Sequence, residues 1–200
     1  MSGLARAASC AAIALSLVVL PGCSGEETIP VERLSSMVLQ ASDLPRTFTQ
    51  FDAGKQVQAD FLPGPRTDPE RFGRRDGWKS RFRRAGDAQT SGPLVVESRA
   101  DLFGSAGGAA DDLEAYREQF RATVRESRGA GRMLADPAVG DGSVAMALRQ
   151  PGTPGIELYS VAWRRRNATA SVTATGIARR LNYTAVIALV RAQARRVVAQ

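Results

Sequence analysis

The chain has 200 residues, a formal net charge of +7, and 25 arginines against two lysines, Lys55 and Lys79. It contains no histidine and two cysteines, Cys10 and Cys23, which excludes Ser-His-Asp and Cys-His catalysis and every His-ligated metal site. The length suits one domain with a real core, and the positive charge reads either as a composition that favours arginine over lysine or as attraction to polyanions.

The N-terminus carries Arg6, then an apolar run from Ala11 to Leu20, then Leu20-Pro21-Gly22-Cys23. The run is short for a membrane-spanning helix, and Pro21-Gly22 would break one. The pattern resembles a bacterial lipoprotein signal with its lipobox. That resemblance implies a signal peptide over 1–22, removed before Cys23, and a diacylglycerol on the Cys23 thiol with further acylation of the new amine. Residues 23–27 become a lipid-anchored tether, and 28–200 a single extracytoplasmic domain on the outer face of the cell membrane. Two or three acyl chains hold a protein stably where one does not. The alternative is an ordinary secretory signal, cut beside the small residues Gly22 and Ser24. In either case Cys10 leaves with the signal. The mature chain then has no cysteine pair, so apolar burial must hold the fold.

Thr28-Ile29-Pro30 reads as a helix start, with Thr28 as cap and a short amphipathic helix through Leu34 and Val38 to about Gln40. Ser42-Asp43-Leu44-Pro45 ends it. Over 44–76 the pattern is weak: Val57 to Leu62 reads as a short strand, and Pro63-Gly64-Pro65 with Pro69 as an exposed loop. Trp78 to Arg83 alternates in the manner of a half-buried strand, as does Leu94 to Phe103, whose Leu94, Val96, Ser98, Ala100 and Leu102 share a face. A long helix is predicted over 105–127. Ser105 is its cap, Asp111, Asp112 and Glu114 lie near its positive end, and Ala109, Leu113, Tyr116, Phe120 and Val124 form an apolar stripe. Short strands follow near 132–135 and 143–149.

Ile156 to Arg164 and Ala168 to Gly176 form the clearest hairpin, joined around Arg165-Arg166. Pairing Trp163 with Ala168, Val161 with Ala170 and Tyr159 with Val172 places large residues opposite small ones. Thr169, Ser171, Thr173 and Thr175 take the other face, and a one-residue slip would move that row into the core. The last element is a helix over about 182–199, with Tyr183, Val186, Ile187, Val190, Ala194 and Val197 on its apolar side. The predicted class is α+β: an antiparallel sheet with a long central helix and a C-terminal helix packed on one face.

The succession of elements, with Leu102-Phe103-Gly104-Ser105-Ala106, Gly140-Asp141-Gly142-Ser143-Val144-Ala145, Trp163-Arg164-Arg165-Arg166-Asn167 and the segment Ala188 to Arg195, resembles a lipoprotein family of high-GC Gram-positive bacteria. More distantly it is similar to the extracellular sensor domain of mycobacterial-type Ser/Thr kinases. The resemblance spans most of the mature chain and implies an extracytoplasmic ligand-binding or partner-binding module. The sensor family carries cysteines within the domain, which this chain lacks.

No residue pattern signals catalysis. Asp111-Asp112 reads as a dipole partner of its helix rather than an acid-base pair. Asp136, Asp141 and Glu157 lack metal-ligand spacing. Gly104, Gly107 and Gly108 match neither a P-loop nor a dinucleotide fingerprint, so no cofactor is expected. The sequons at Asn167 and Asn182 read as chance in a bacterial secreted chain.

The leading function is therefore a non-enzymatic module that binds a small apolar or envelope-derived ligand, with Trp78, Phe82, Tyr159 and Trp163 as the candidate pocket. The bilayer, through acylated Cys23, is the expected partner, and nucleic acid is not. An alternative uses a basic face, Arg71, Arg74, Arg75, Lys79, Arg81, Arg83 and Arg84, on anionic membrane or cell-wall polymers. A hydrolase without a recognisable motif ranks third.

Overall fold

The computed structural model describes residues 28–198; the signal segment, Cys23 and the tether lie outside the described residues. Seven strands form one antiparallel sheet: β1 (Thr49–Lys55), β2 (Arg74–Arg83), β3 (Pro93–Phe103), β4 (Gly131–Met133), β5 (Ser143–Gln150), β6 (Ile156–Arg165) and β7 (Ala168–Ile177). Their spatial order is β1-β2-β3-β7-β6-β5-β4. Helix α1 (Ala106–Glu126) carries the chain from β3 to the β4 edge, and α2 (Tyr183–Val198) closes the described chain. The α+β class, the antiparallel sheet and the two helices packed against it are as predicted. Helix α1 starts at its predicted cap, with Gly108 N donating to Ser105 Oγ at 3.1 Å, and α2 starts near the predicted position, with Ala185 N donating to Asn182 Oδ1 at 2.8 Å.

The helices lie on opposite faces of the sheet rather than on one. Beneath α2, Val186, Val190 and Val197 pack on Ala145, Ala147, Tyr159, Val161, Trp163, Ala170, Val172 and Ala174. Beneath α1, Leu113, Tyr116 and Phe120 pack on Val144, Met146 and Ala162. The reason is legible in β5. Val144-Ala145-Met146-Ala147-Leu148 is apolar at successive positions, and a strand apolar on both sides needs cover on both.

The β6–β7 hairpin pairs Trp163 with Ala170, Val161 with Val172 and Tyr159 with Ala174, two residues further along β7 than predicted. Its turn is only Arg166-Asn167, with Arg165 opposite Ala168 and Arg166 at a φ of 51°. A shift of two keeps every side chain on its face, so the predicted faces stand.

The N-terminal segment is not an α-helix capped by Thr28. Val31–Ser36 is a 3-10 turn flanked by Pro30, which makes no side-chain cap. Met37, Val38 and Leu39 are then buried in succession, which one helical face cannot do. The chain instead runs extended over two buried serines: Leu39 N donates to Ser98 Oγ at 2.9 Å and Ser80 Oγ to Leu39 O at 2.8 Å. Val57 to Leu62 is not a strand either. Asp60 turns back to accept from Val57 N at 2.8 Å, making a tight turn, and the strand of this region is β1, upstream.

Candidate functional site

Hydroxyl and charged side chains take the α1 side of β2, β3 and β7, because the apolar alternate positions are committed to the α2 side. Thr169 and Ser171, predicted to lie away from the core, are buried under α1. The loop 56–68 crosses this face, and a cavity of about 460 Å³ opens between it, α1 and the sheet. One wall is apolar, with Phe61, Leu62, Phe120, Met146, Leu148 and Leu158; the floor carries Ser160, Ser171 and Thr173; Arg81, Glu97 and Arg99 stand at the other end. The volume falls within the range of small-molecule sites.

The loop is held by a buried ion-pair cluster. Arg66, 6% exposed, donates through Nε to Asp112 Oδ1 at 2.8 Å and through Nη2 to Asp101 Oδ2 at 2.6 Å. Arg74 Nε reaches Asp101 Oδ1 at 2.6 Å, Thr169 Oγ1 reaches Asp112 Oδ2 at 2.7 Å, and Gln56 Nε2 reaches Asp101 Oδ1 at 3.0 Å. The Arg66 guanidinium lies 4.0 Å from the centre of the Tyr116 ring. Two cations thus meet two carboxylates, which is the condition for keeping such charges out of water. Burial pushes the Asp112 carboxyl above its usual range against the pull of Arg66, and burial also raises the Tyr116 hydroxyl. Gly77 makes room for the cluster, since a Cβ there would lie 2.0 Å from Arg74 Nη2 and 2.3 Å from Asp101 Oδ1.

A second, more exposed network borders the cavity. Lys79 Nζ binds Asp60 at 2.6 Å; Arg81 binds Glu97 at 2.5 Å, Asp52 at 3.1 Å and Asp60 at 3.2 Å. Arg99 binds Glu97 at 2.5 Å and the Asp60 carbonyl at 2.7 Å. Burial opposes ionisation of Asp60, yet the Lys79 ammonium and the Val57 N–H hold its carboxyl below the usual 3.8. Every acid of this network is thus bound by a cation.

The predicted pocket residues are brought together elsewhere. Phe82, Tyr159 and Trp163 are buried in the α2-side core with Trp78 packed at its margin, and none of the four lines the cavity under α1. The predicted basic face is divided. Arg74, Lys79 and Arg81 are engaged by acids, as above. Arg84 donates to the carbonyls of Pro93, at 2.7 Å, and Ser91. Arg71, Arg75 and Arg83 are exposed, Arg71 over the Phe72 ring and Arg83 over that of Phe51.

Asp112, predicted to serve the helix dipole, is instead a buried carboxyl facing Arg66. Its position carried a signal: it lies three residues after Ala109 and four before Tyr116, on the apolar stripe of α1, where a charge needs a partner. Arg66, Asp101 and Phe61 gave no such sign. The sequon residue Asn167 is buried, with its side chain bound to Ile29 N at 2.7 Å and Phe103 O at 3.0 Å. Among the described residues, no helix is long and apolar enough to cross a membrane.

No protein-family model matches the chain, and no curated protein matches it. Among solved structures it is similar to the extracellular domain of PknH from Mycobacterium tuberculosis, with a TM-score of 0.66 and 13% identity over 88% of this chain and 100% of that one. At this identity the likeness is one of fold: the chain shares the architecture of a kinase's extracellular domain.

Proposed function

We propose that this protein is a lipid-anchored extracytoplasmic module that binds a small amphipathic ligand of the cell envelope in the cavity under α1, without transforming it. The cavity carries this reading: it joins an apolar wall (Phe120, Met146, Leu148, Leu158) to a hydroxyl floor and a charged end (Arg81, Glu97, Arg99). A ligand with an acyl or ring portion and a polar head matches both. The carboxylates at the charged end are held as ion pairs, which favours binding over catalysis. The fold shared with an extracellular domain supports an extracytoplasmic address, and the lipobox-like segment ending in Cys23 supports the anchor.

The test is native mass spectrometry of the protein released from its own envelope. A bound mass is expected with the natural chain and not with Leu158→Trp, whose indole fills the cavity. The same non-covalent mass on both, or none on either, overturns the ligand reading. Metabolic labelling with a fatty-acid analogue is expected to mark the natural chain and not Cys23→Ala, and equal labelling overturns the anchor.

A further inference from the structure

The first described residues are pinned to one end of the sheet. Ile29 N donates to Asn167 Oδ1 at 2.7 Å, and Asn167 Nδ2 donates to Phe103 O at 3.0 Å and Ile29 O at 3.4 Å. Asn167 belongs to the β6–β7 turn and Phe103 ends β3, so Ile29 sits where β3 and β6 end and β7 begins. From Cys23 to Ile29 there are six chain steps, a reach of at most about 20 Å when fully extended. An acyl group on Cys23 would therefore keep this end of the domain near the bilayer without by itself fixing the domain's tilt.

The chemistry of this end suits an anionic surface. The end of the β6–β7 hairpin carries Arg164, Arg165 and Arg166 in succession. Beside it, a hollow lined by Val139, Gly140, Arg191, Ala194, Arg195 and Val198 links the loop before β5 to the last turns of α2. Arg191, Arg195 and Val198 are exposed there, Val198 by 60%. The carboxylate in their midst is Asp141, which takes Arg165 Nη1 at 2.5 Å, Arg166 N at 3.0 Å and Arg164 Nη1 at 3.9 Å. Arg191 and Arg195 thus stand exposed beside a hairpin end whose Arg164 and Arg165 share one carboxylate.

We infer that this end, made by the β6–β7 turn, the Asp141 loop and the end of α2, is a docking surface for anionic lipid head groups that fixes the domain's orientation on the membrane. The inference rests on the proposed acylation of Cys23. It differs from a basic face on β2, whose Arg74, Lys79 and Arg81 are engaged by acids of the sheet and loop. It also places the cavity clear of the lipid. Leu148 pairs with Leu158 five positions from the Ser143–Trp163 pair, about 17 Å up the strands from the docking end.

The mature chain offers a clean test, because Cys23 is its sole native cysteine once Cys10 leaves and acylation blocks its thiol. A fluorophore is attached to the full lipidated protein through Gly104→Cys, next to Phe103, or through Ala88→Cys, in the β2–β3 loop at the far end. Gly104 is exposed and has room, a Cβ there coming no closer than 3.5 Å to a neighbour. The proteins are reconstituted into vesicles of phosphatidylcholine with phosphatidylglycerol and a bromolipid quencher. Strong quenching at 104 with little at 88 is expected. Combining Arg165→Gln, Arg191→Gln and Arg195→Gln, or removing phosphatidylglycerol, is expected to bring the 104 signal down toward that at 88. Intact mass separates the failures. No acyl mass on Cys23 removes the anchor reading and this inference with it. With the acyl mass present, equal quenching at both sites overturns the orientation alone. Quenching at 104 that ignores both the arginines and phosphatidylglycerol overturns the head-group contact.

Discussion

The two faces of the sheet are built to different rules. Under α2 the contacts are apolar: valines of the helix meet small and large side chains that interdigitate, and Trp163 is enclosed. Under α1 the sheet offers hydroxyls and charges, the helix lends Asp112 and Tyr116, and a loop rather than a helix closes half the surface. One strand pair supplies both, since β6 and β7 send alternate residues each way. Apolar packing tolerates no vacancy, whereas charged groups held by partners leave room between them. Stability is thus concentrated on one side and a cavity is sustained on the other.

The α2 side is the more sensitive to a buried charge. Val190→Asp places a carboxylate in the apolar layer with no partner, and the expected loss is about 4 kcal/mol or more. Arg191→Ala, the next residue but exposed, is expected to stay within about 0.5 kcal/mol. Urea midpoints of the two variants measure the contrast, and equal midpoints would mean that α2 is not docked.

On the α1 side the expected cost is that of an orphaned charge. Asp112→Ala leaves Arg66 with Asp101 alone and is expected to lose about 3 kcal/mol. The pair Arg66→Met with Asp112→Leu, which removes both charges, is expected to recover part of that loss while releasing the loop 56–68. Denaturation of single and double variants gives the coupling, and hydrogen exchange across 56–68 reports the loop. A double variant no more stable than Asp112→Ala contradicts the ion-pair account.

Acid is expected to act through the more exposed network. Asp60, Asp76 and Asp141 are all held below the usual 3.8, against the opposing effect of burial, by the cations and N–H groups around them. Depressed folded values mean that their stabilisation is present above the unfolded value and is lost as pH falls through the folded ones, below about pH 4. Asp112 carries the opposite sign: raised by burial, it favours the fold in acid and ceases to as pH rises through its folded value. Urea midpoints followed downward from pH 6 are expected to fall less steeply below pH 4 for Asp60→Asn than for the natural chain. Parallel curves would remove Asp60 from the acid response.

Smaller still is the expected effect of filling the cavity. Leu158→Trp occupies existing space and is expected to change stability by no more than about 1 kcal/mol while abolishing ligand capture. A large loss of stability would show that the space is part of a packed core. Reductant and chelator are expected to leave the unfolding temperature of the mature protein unchanged, and a shift with chelator would reveal a metal site.

Much of this architecture was legible locally. Periodicity located α1 and α2, Ser105 and Asn182 marked their starts, and alternation assigned the faces of β6 and β7. Those signals are carried by residues near in sequence. The hairpin register slipped by two because alternation is blind to even shifts; only the turn at Arg166-Asn167, stitched to Ile29 and Phe103, settles it. β1 escaped notice because Thr49–Lys55 is largely exposed and lacks an apolar alternation. The aromatic residues that suggested a pocket, Phe82, Tyr159 and Trp163, are instead core.

By itself the sequence determined which residues are apolar, where helices begin and that no cysteine pair staples residues 28–198, because these depend on composition and on neighbours within a turn or two. Tertiary structure alone decided which helix covers which face and where the cavity lies. It also decided that Arg66, Asp101 and Asp112 meet, though they are 35 and 46 positions apart from the arginine. A charge in a sequence looks solvated until the fold takes its water away. Only then does the cost of burial select the partner, and only then does a space open beside the pair.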